Sequence, residues 1–274
     1  MDEKKRRLPP TIPHENLPPS PEKFRAAAVS WTGGKDSALA MHLAQSQNFD
    51  VRALVTFVPA PENGIRKEFK AHPVPMMKLQ SQALGIQHLE VTILPQNGDY
   101  KAAYVEGLNQ VRGGSLGCGT VVSGDIDFVG TMRDNWLRMC ALGCENELRI
   151  LTPIWHWERI KVLNKLIEDG FLVIFSCVKE PWFGKEWLGR VLDDKAVVDL
   201  MEIEGRCMGF DLAGENGEYH TMTLDGPGFS QRVIIESSSK EIVPRSERGV
   251  AVDDKDVYDW WFLKIEKCRL EAKA

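Results

Sequence analysis

From Phe24 onward, short apolar runs alternate with stretches whose apolar residues recur every three to four positions. The first kind of pattern predicts buried strands and the second amphipathic helices. A run ending near Ser30 is followed by a helix from Asp36 to about Gln47, and Arg52 to Val58 is a second strand. A loop over 59–73 leads to a helix from Val74 to Leu84 ended by Gly85, then to a strand from His88 to Leu94 and a helix from Tyr100 to Val111. Gly119 to Ser123 is a fourth strand, followed by a helix from Thr131 to Leu142 ended by Gly143. Leu148 to Ile154 is a fifth strand, a helix over 157–169 ends at Gly170, and Phe171 to Cys177 is a sixth strand. Strands spaced by helices of this length imply right-handed crossovers, so the expected fold is doubly wound α/β. Its mainly parallel sheet has five to six strands, with helices on both faces.

After residue 178 the alternation stops. Glu186 to Ile203 is expected to be mostly helical, and Glu218 to Leu224 and Phe229 to Glu236 to be strands. The turn Asp225-Gly226-Pro227-Gly228 between them predicts antiparallel pairing of the two. Residues 255–272, with Trp260, Trp261, Phe262, Ile265 and Leu270, are expected to form a closing amphipathic helix. The expected organisation is a tail over 1–22, a nucleotide-binding domain over 23–178 and a smaller C-terminal α+β segment over 179–274. The tail carries six prolines and the cluster Lys4-Lys5-Arg6-Arg7, too little apolar content to offset the entropy of ordering, so disorder is expected there. A nuclear address is the other reading of that cluster.

Composition changes this picture little. The 274 residues carry a formal net charge of −5, which argues against a nucleic-acid partner because phosphate backbones need a basic face. Six scattered cysteines with no C-x-x-C pair indicate neither a disulfide framework nor a zinc site, and Cys140 and Cys144 are expected to be core thiols. No run reaches the ~18 apolar residues of a membrane span, and the N-terminus lacks the apolar region of a signal peptide. A cytoplasmic protein without a membrane partner is expected.

The stretch that carries chemistry is Ser30-Trp31-Thr32-Gly33-Gly34-Lys35-Asp36-Ser37, where a strand breaks into two glycines and a helix begins. The first amides of a helix lack internal acceptors and sit at the positive end of its dipole, so this layout binds phosphate. Gly33 and Gly34 let backbone approach an anion, Lys35 adds a cation, and Thr32 and Ser37 add hydroxyls. The Walker spacing fails, because position 29 is Val and Lys35 is followed by Asp36. The dinucleotide pattern fails too, having no glycine at 35 or 38.

Two further constellations follow. Ser123-Gly124-Asp125-Ile126 leaves the fourth strand at the same end of the expected sheet, where a carboxylate can hold Mg²⁺ or cap a turn. Arg133, on the next expected helix, can pair with phosphate or lie on a solvated face. Gly214 to Thr221 gathers Glu215, Glu218 and His220 before an apolar strand. Carboxylates this close suit proton transfer or cation binding, and a polar turn is the simpler alternative. His72, in the loop after the second strand, lies near the adenine or on the surface.

Thr-Gly-Gly-Lys-Asp-Ser at 32–37 resembles the S-G-G-x-D-S loop of the ATP pyrophosphatase (PP-loop) superfamily, with Thr32 in place of Ser. With Gly124-Asp125-Ile126, Trp187-Leu188-Gly189-Arg190, Gly214 to Thr221, and Asp225 and Pro227, it follows the order of the diphthine–ammonia ligase family. That family's E-G-G-E-F-E-T stretch stands here as Glu215-Asn216-Gly217-Glu218-Tyr219-His220-Thr221, with His220 where an acid is common. The resemblance covers about residues 24–236.

It implies adenylation of the carboxylate of diphthine on translation elongation factor 2, followed by displacement of AMP by free ammonia. ATP and Mg²⁺ would then be the cofactors, and ATP, ammonium and the elongation factor the partners. Ser30, Thr32, Gly33, Gly34, Lys35, Asp36, Ser37, His72, Gly124, Asp125 and Arg133 would line the nucleotide. Asp36 and Asp125 would hold the metal, and Lys35, Asp36, Glu215, Glu218 and His220 would serve the chemistry. The Glu215–His220 cluster is expected on the acceptor side rather than at ATP. Two other readings remain open: a related enzyme acting on another small-molecule or tRNA acceptor, and an adenine-nucleotide-binding module without catalysis.

Overall fold

The computed structural model describes residues 22–61, 70–114, 116–128, 132–243 and 258–273. The expected disordered tail, apart from Glu22, lies outside these residues, as does the start of the helix expected at Thr131. Two compact units divide the chain, the first taking residues 1–30, 40–66 and 89–156 and the second residues 31–39, 67–88 and 157–274.

The first unit is built on a five-stranded sheet in the order β3-β2-β1-β4-β5. Its strands are β1 (Ala26–Ser30), β2 (Asp50–Pro59), β3 (Gln87–Ile93), β4 (Thr120–Val122) and β5 (Arg149–Leu151). β1 pairs in parallel with β2 on one side and β4 on the other, and β4 pairs in parallel with β5. Burial of Ala27, Ala28, Val29, Val121 and Val122 explains the near-continuous apolar runs, because a parallel sheet is covered on both faces. Against one face, Ala28, Val55, Val91 and Val121 pack with Leu108 and Val111 of α3 (Tyr100–Gly113) and with Leu137 and Cys140 of α4 (Trp136–Ala141). Each such valine or leucine contributes roughly 1.5–3 kcal/mol when fully buried. Cys140 is a core thiol as expected, and its burial pushes its pKa up to about 12.

The order of strands reverses between β1 and β4, which makes their carboxyl ends the switch point where ligands of open α/β sheets bind. Val29 faces Val122 in that pair, so the chain leaves β1 at Ser30 and β4 at Ser123 side by side. α4 is shorter than the sequence pattern predicts. Asn135 caps it by accepting from the Arg138 amide at 3.1 Å, so exposed Arg133 precedes the helix rather than riding on it.

The second unit carries a four-stranded antiparallel sheet in the order β7-β6-β9-β8. Its strands are β6 (Leu172–Lys179), β7 (Tyr219–Asp225), β8 (Gln231–Val243) and β9 (Trp260–Ala272). Three sequence expectations are corrected here. The sixth strand does not join the parallel sheet but is the centre of this one, between β7 and β9. β7 and β8 do not pair with each other; they stand at opposite edges, because β6 and β9 fill the space between them.

The closing helix is instead β9, with Trp260–Ala272 in strand conformation. Its ladder with β8 breaks register between Ile235 and Ser238, which moves the inward residues of β9 from Ile265 to Cys268. That bulge turns a period of two into a spacing of three, and the local pattern then imitates a helix. The expected helix from Glu186 is also divided. A single turn at Lys185–Trp187 precedes α6 (Asp194–Arg206), whose start is set by Asp193 accepting from the Ala196 amide at 2.8 Å. The remaining helices are α1 (Lys35–Ser46), which runs from the second unit into the first, α2 (Val74–Leu84) and α5 (Arg159–Glu168). Gly85 ends α2 as predicted, at φ 66°. Among the described residues, no helix is long and apolar enough to cross a membrane.

Candidate active site

The turn from Trp31 to Ser37 opens α1 within the second unit. Gly33 adopts φ +75°, which side chains disfavour, and a Cβ there would lie 2.2 Å from Gln80 Oε1. Gly34 is closed in differently, since a Cβ on it would sit 3.2 Å from the Thr221 carbonyl and 3.4 Å from His72 Cε1. The Gly34 carbonyl accepts from the Ala38 amide and from Ser37 Oγ, both at 3.1 Å, which completes the first turn of the helix. Thr32 Oγ1 and Ser37 Oγ stand 3.5 Å apart at the mouth of the turn.

Strand β7 buttresses this loop. Lys35 donates its amide to Thr221 Oγ1 at 3.0 Å, and the Thr223 amide donates to the Gly33 carbonyl at 2.9 Å. The Lys35 side chain is 4 % exposed; its ammonium is held by Asp36 Oδ2 at 2.8 Å and lies over the Tyr219 ring at 5.4 Å. His72 hydrogen-bonds to the Thr32 backbone, and its ring meets that of His220 edge-on at 5.1 Å. His220 in turn stacks on Trp260 at 5.9 Å. Desolvation, then the proximity of His220 and of Lys35, lowers the His72 pKa to about 3; desolvation and Lys35 lower that of His220 to about 4. Two neutral imidazoles therefore flank the glycine turn.

The cluster Glu215–Thr221 divides in two. Glu218 is fully buried, and its carboxylate accepts from the backbone amides of Asp211 at 2.8 Å and Asn216 at 3.0 Å. It closes the turn rather than facing outward. Asp211, which nothing in the sequence pattern singles out, accepts from the amides of Ala213 at 2.8 Å and Glu215 at 3.3 Å. Its other oxygen accepts from Arg159 Nε at 2.8 Å. Glu215 is the less enclosed residue of the pair, and the pKa of its carboxyl rises to about 7, first through desolvation and next through the Asp36 carboxylate.

That shift has a testable sign. Between the ordinary value of 4.5 and about 7 the folded chain holds the Glu215 proton while an unfolded chain releases it, so stability falls as pH rises through that interval. Glu215→Gln lacks this component. Its melting temperature relative to the parent is expected to climb from pH 4.5 to pH 7, and a flat difference in a paired pH series would contradict the assignment.

In the first unit, Asp125 Oδ2 accepts from Ser123 Oγ at 2.8 Å and from the Asn135 amide group, and Gly124 lies between Ser123 and Asp125 in the segment leaving β4. Asn135 thus caps α4 with its oxygen and holds Asp125 with its nitrogen. Among the described residues, no cluster of three or more His, Cys, Asp or Glu side chains stands ready to bind a metal by itself. Isolated carboxylates suit Mg²⁺ that arrives on phosphates, since that ion is commonly held by one or two carboxylates plus substrate oxygens. Asp36, paired with Lys35, lies beside the loop with a side chain 28 % exposed.

A glycine turn heading a helix, fed by the first strand of a parallel sheet and backed by carboxylates and neutral imidazoles, defines an α/β phosphate-loop protein. Residues 25–141 match the profile described as the diphthamide synthase N-terminal domain, and residues 158–257 match that of its C-terminal domain. The chain belongs to the diphthine–ammonia ligase family, whose members form carbon–nitrogen bonds.

A zebrafish (Danio rerio) protein named diphthine–ammonia ligase is 24 % identical, over 89 % of this chain and 95 % of its own length. The Schizosaccharomyces pombe protein of that name is 26 % identical over 44 % of this chain, which spans only 18 % of that protein's length. The Bos taurus protein of that name is 30 % identical over 38 % of each chain. Among solved structures, a predicted subunit of tRNA methyltransferase from Methanocaldococcus jannaschii aligns with a TM-score of 0.39 at 14 % identity, covering 73 % of this chain and 96 % of that one.

Proposed function

We propose that this chain is an AMP-forming ligase that activates a carboxylate with ATP and converts it to an amide with ammonia, the acceptor being diphthine on translation elongation factor 2. The reading is carried by one observation: the Lys35 amide of the phosphate turn bonds to Thr221, the last residue of the Glu215–Thr221 family stretch. The anion site and the stretch typical of this family are therefore built as one piece. Names of the relatives supply the acceptor.

In this reading an acceptor carboxylate oxygen attacks the α-phosphorus of ATP, and the bond to pyrophosphate breaks. The amides of Gly34, Asp36 and Ser37 and the Lys35 ammonium take up the charge that develops on the leaving pyrophosphate, the Lys35 amide being engaged by Thr221. Mg²⁺, if bound with the nucleotide, would supply further charge neutralisation, with Asp36 as a proposed oxygen donor. Ammonia then attacks the acyl carbon, the bond to AMP breaks, and the nitrogen loses a proton. Glu215, titrating near 7, and His220, held neutral, are the proposed proton acceptors. Glu218 acts through Glu215 by shaping the turn. Ser30, Thr32, Gly33 and His72 complete the proposed nucleotide contacts in or beside the loop.

The test is nucleotide chromatography after incubation with ATP, ammonium and elongation factor carrying diphthine. AMP and pyrophosphate are expected in equal amounts, dependent on both ammonium and acceptor. ADP as the main product would overturn the ligase reading. AMP formation that ignores diphthine but responds to tRNA or another carboxylate would move the acceptor and leave the chemistry in place.

A further inference from the structure

We infer that Gln80 is the positioning residue of the phosphate turn: its side-chain amide sets the Gly33–Gly34 peptide so that the Gly34 N–H faces the anion. Gln80 lies on α2, far from the loop in sequence, and is fully buried. Its Oε1 accepts from Trp31 Nε1 at 3.1 Å, while its Nε2 donates to the Gly33 carbonyl at 2.9 Å and to the Thr223 carbonyl at 2.7 Å. All of these groups belong to the second unit.

The orientation of the amide is dictated by its partners. Rotating it by a half-turn would set its NH₂ against the Trp31 N–H and its oxygen against two carbonyls. The space it fills is the space that Gly33 leaves, since a Cβ on Gly33 would meet Gln80 Oε1 at 2.2 Å. The glycine is thus required by the glutamine as well as by its positive φ.

The consequence for the turn follows from peptide geometry. In a trans peptide the C=O of one residue and the N–H of the next point in opposite directions. The Gly33 carbonyl is held by two donors, Gln80 Nε2 and the Thr223 amide. With that oxygen pinned toward α2 and β7, the Gly34 N–H is aimed the opposite way, along with the first amides of α1 that have no acceptors inside the helix. A loop free to flip this peptide would present a carbonyl oxygen to phosphate about as readily as an N–H. Pre-organisation of the donor is what Gln80 supplies.

This inference rests on the proposal that the turn binds ATP, and the experiment separates the two. Gln80→Met keeps the volume and removes both donors. Calorimetric titration of ATP with Mg²⁺ is expected to show affinity ten- to a hundredfold weaker than in the parent. In steady state the KM for ATP should rise by the same factor, while the KM for acceptor stays within threefold. Circular dichroism and a melting curve establish that the variant is folded.

Gln80→Glu gives a second readout, because a protonated carboxyl regains one donor that a carboxylate lacks. Its ATP affinity relative to the parent is expected to recover as pH falls, whereas that of Gln80→Met stays low. A folded Gln80→Met that binds ATP as the parent does would overturn the inference alone. So would equal losses for ATP and acceptor, or a Gln80→Glu deficit independent of pH. A parent that takes up no ATP would instead overturn the functional proposal, and this inference with it.

Discussion

Asp36→Asn is expected to lower acceptor-dependent AMP release about 100- to 1,000-fold, the scale of losing one charged contact in a closed site. The choice of asparagine follows from the structure. Asp36 Oδ2 holds the Lys35 ammonium at 2.8 Å, and that ammonium is almost wholly enclosed. Alanine would leave the cation without its partner, and breaking a buried pair costs about 3–5 kcal/mol before discounting for the partial exposure of Asp36. Unfolding would then imitate a catalytic loss. Asparagine retains an oxygen for Lys35 and removes the charge.

The same change should register at Glu215, whose pKa the Asp36 carboxylate helps to raise. Residual turnover should therefore show its Glu215-dependent step at lower pH than in the parent. Steady-state rates across pH, with a melting curve at each end, measure both effects. A folded Asp36→Asn protein with near-normal turnover would remove Asp36 from the chemistry.

Glu218→Gln is expected to have the second-largest effect, on stability and turnover together. Both carboxylate oxygens accept backbone N–H groups in a fully buried setting. Glutamine offers one oxygen and one NH₂, so one of those amides faces a donor. An unsatisfied buried group costs about 1–3 kcal/mol. The turn that holds the Glu215 backbone through Asp211 loosens with it.

Turnover is expected to fall at least tenfold, on the order of 1.4 kcal/mol of barrier. ATP affinity should change only a few-fold, because the phosphate turn is tied down by Gln80, Thr221 and Thr223 rather than by Glu218. Chemical denaturation and calorimetric titration with ATP and Mg²⁺ are the measurements. An unchanged denaturation midpoint would contradict the closing role of Glu218, and collapse of ATP binding would place the turn in the nucleotide site. Strand β7 touches the phosphate turn directly, so the expected separation of an acceptor-side cluster from the loop holds at most for residues 215–218.

What the sequence by itself determined is whatever depends on neighbours a few residues apart. Period and turn chemistry located the strands of the parallel sheet, the break at Gly33 and Gly34 where α1 begins, and the end of α2 at Gly85. These features are local because hydrogen bonds within one helical turn and the φ preference of glycine decide them.

Tertiary structure decided the rest, through partners far apart along the chain. β6 reads as one more buried strand, and only its ladders with β7 and β9 assign it to the antiparallel sheet. β9 imitates a helix because the bulge against β8 shifts its inward positions, a property of the pair and not of the strand. Gln80 looks like any polar residue of α2 until its amide meets Gly33 and Thr223, 47 and 143 residues away in sequence. Asp211 and Arg159, 52 residues apart, likewise show their purpose only once folded. Glu215 and Glu218 have the same side chain and nearly the same address. Burial against two backbone amides gives one of them the turn to hold, and desolvation beside Asp36 leaves the other a proton to exchange near neutral pH.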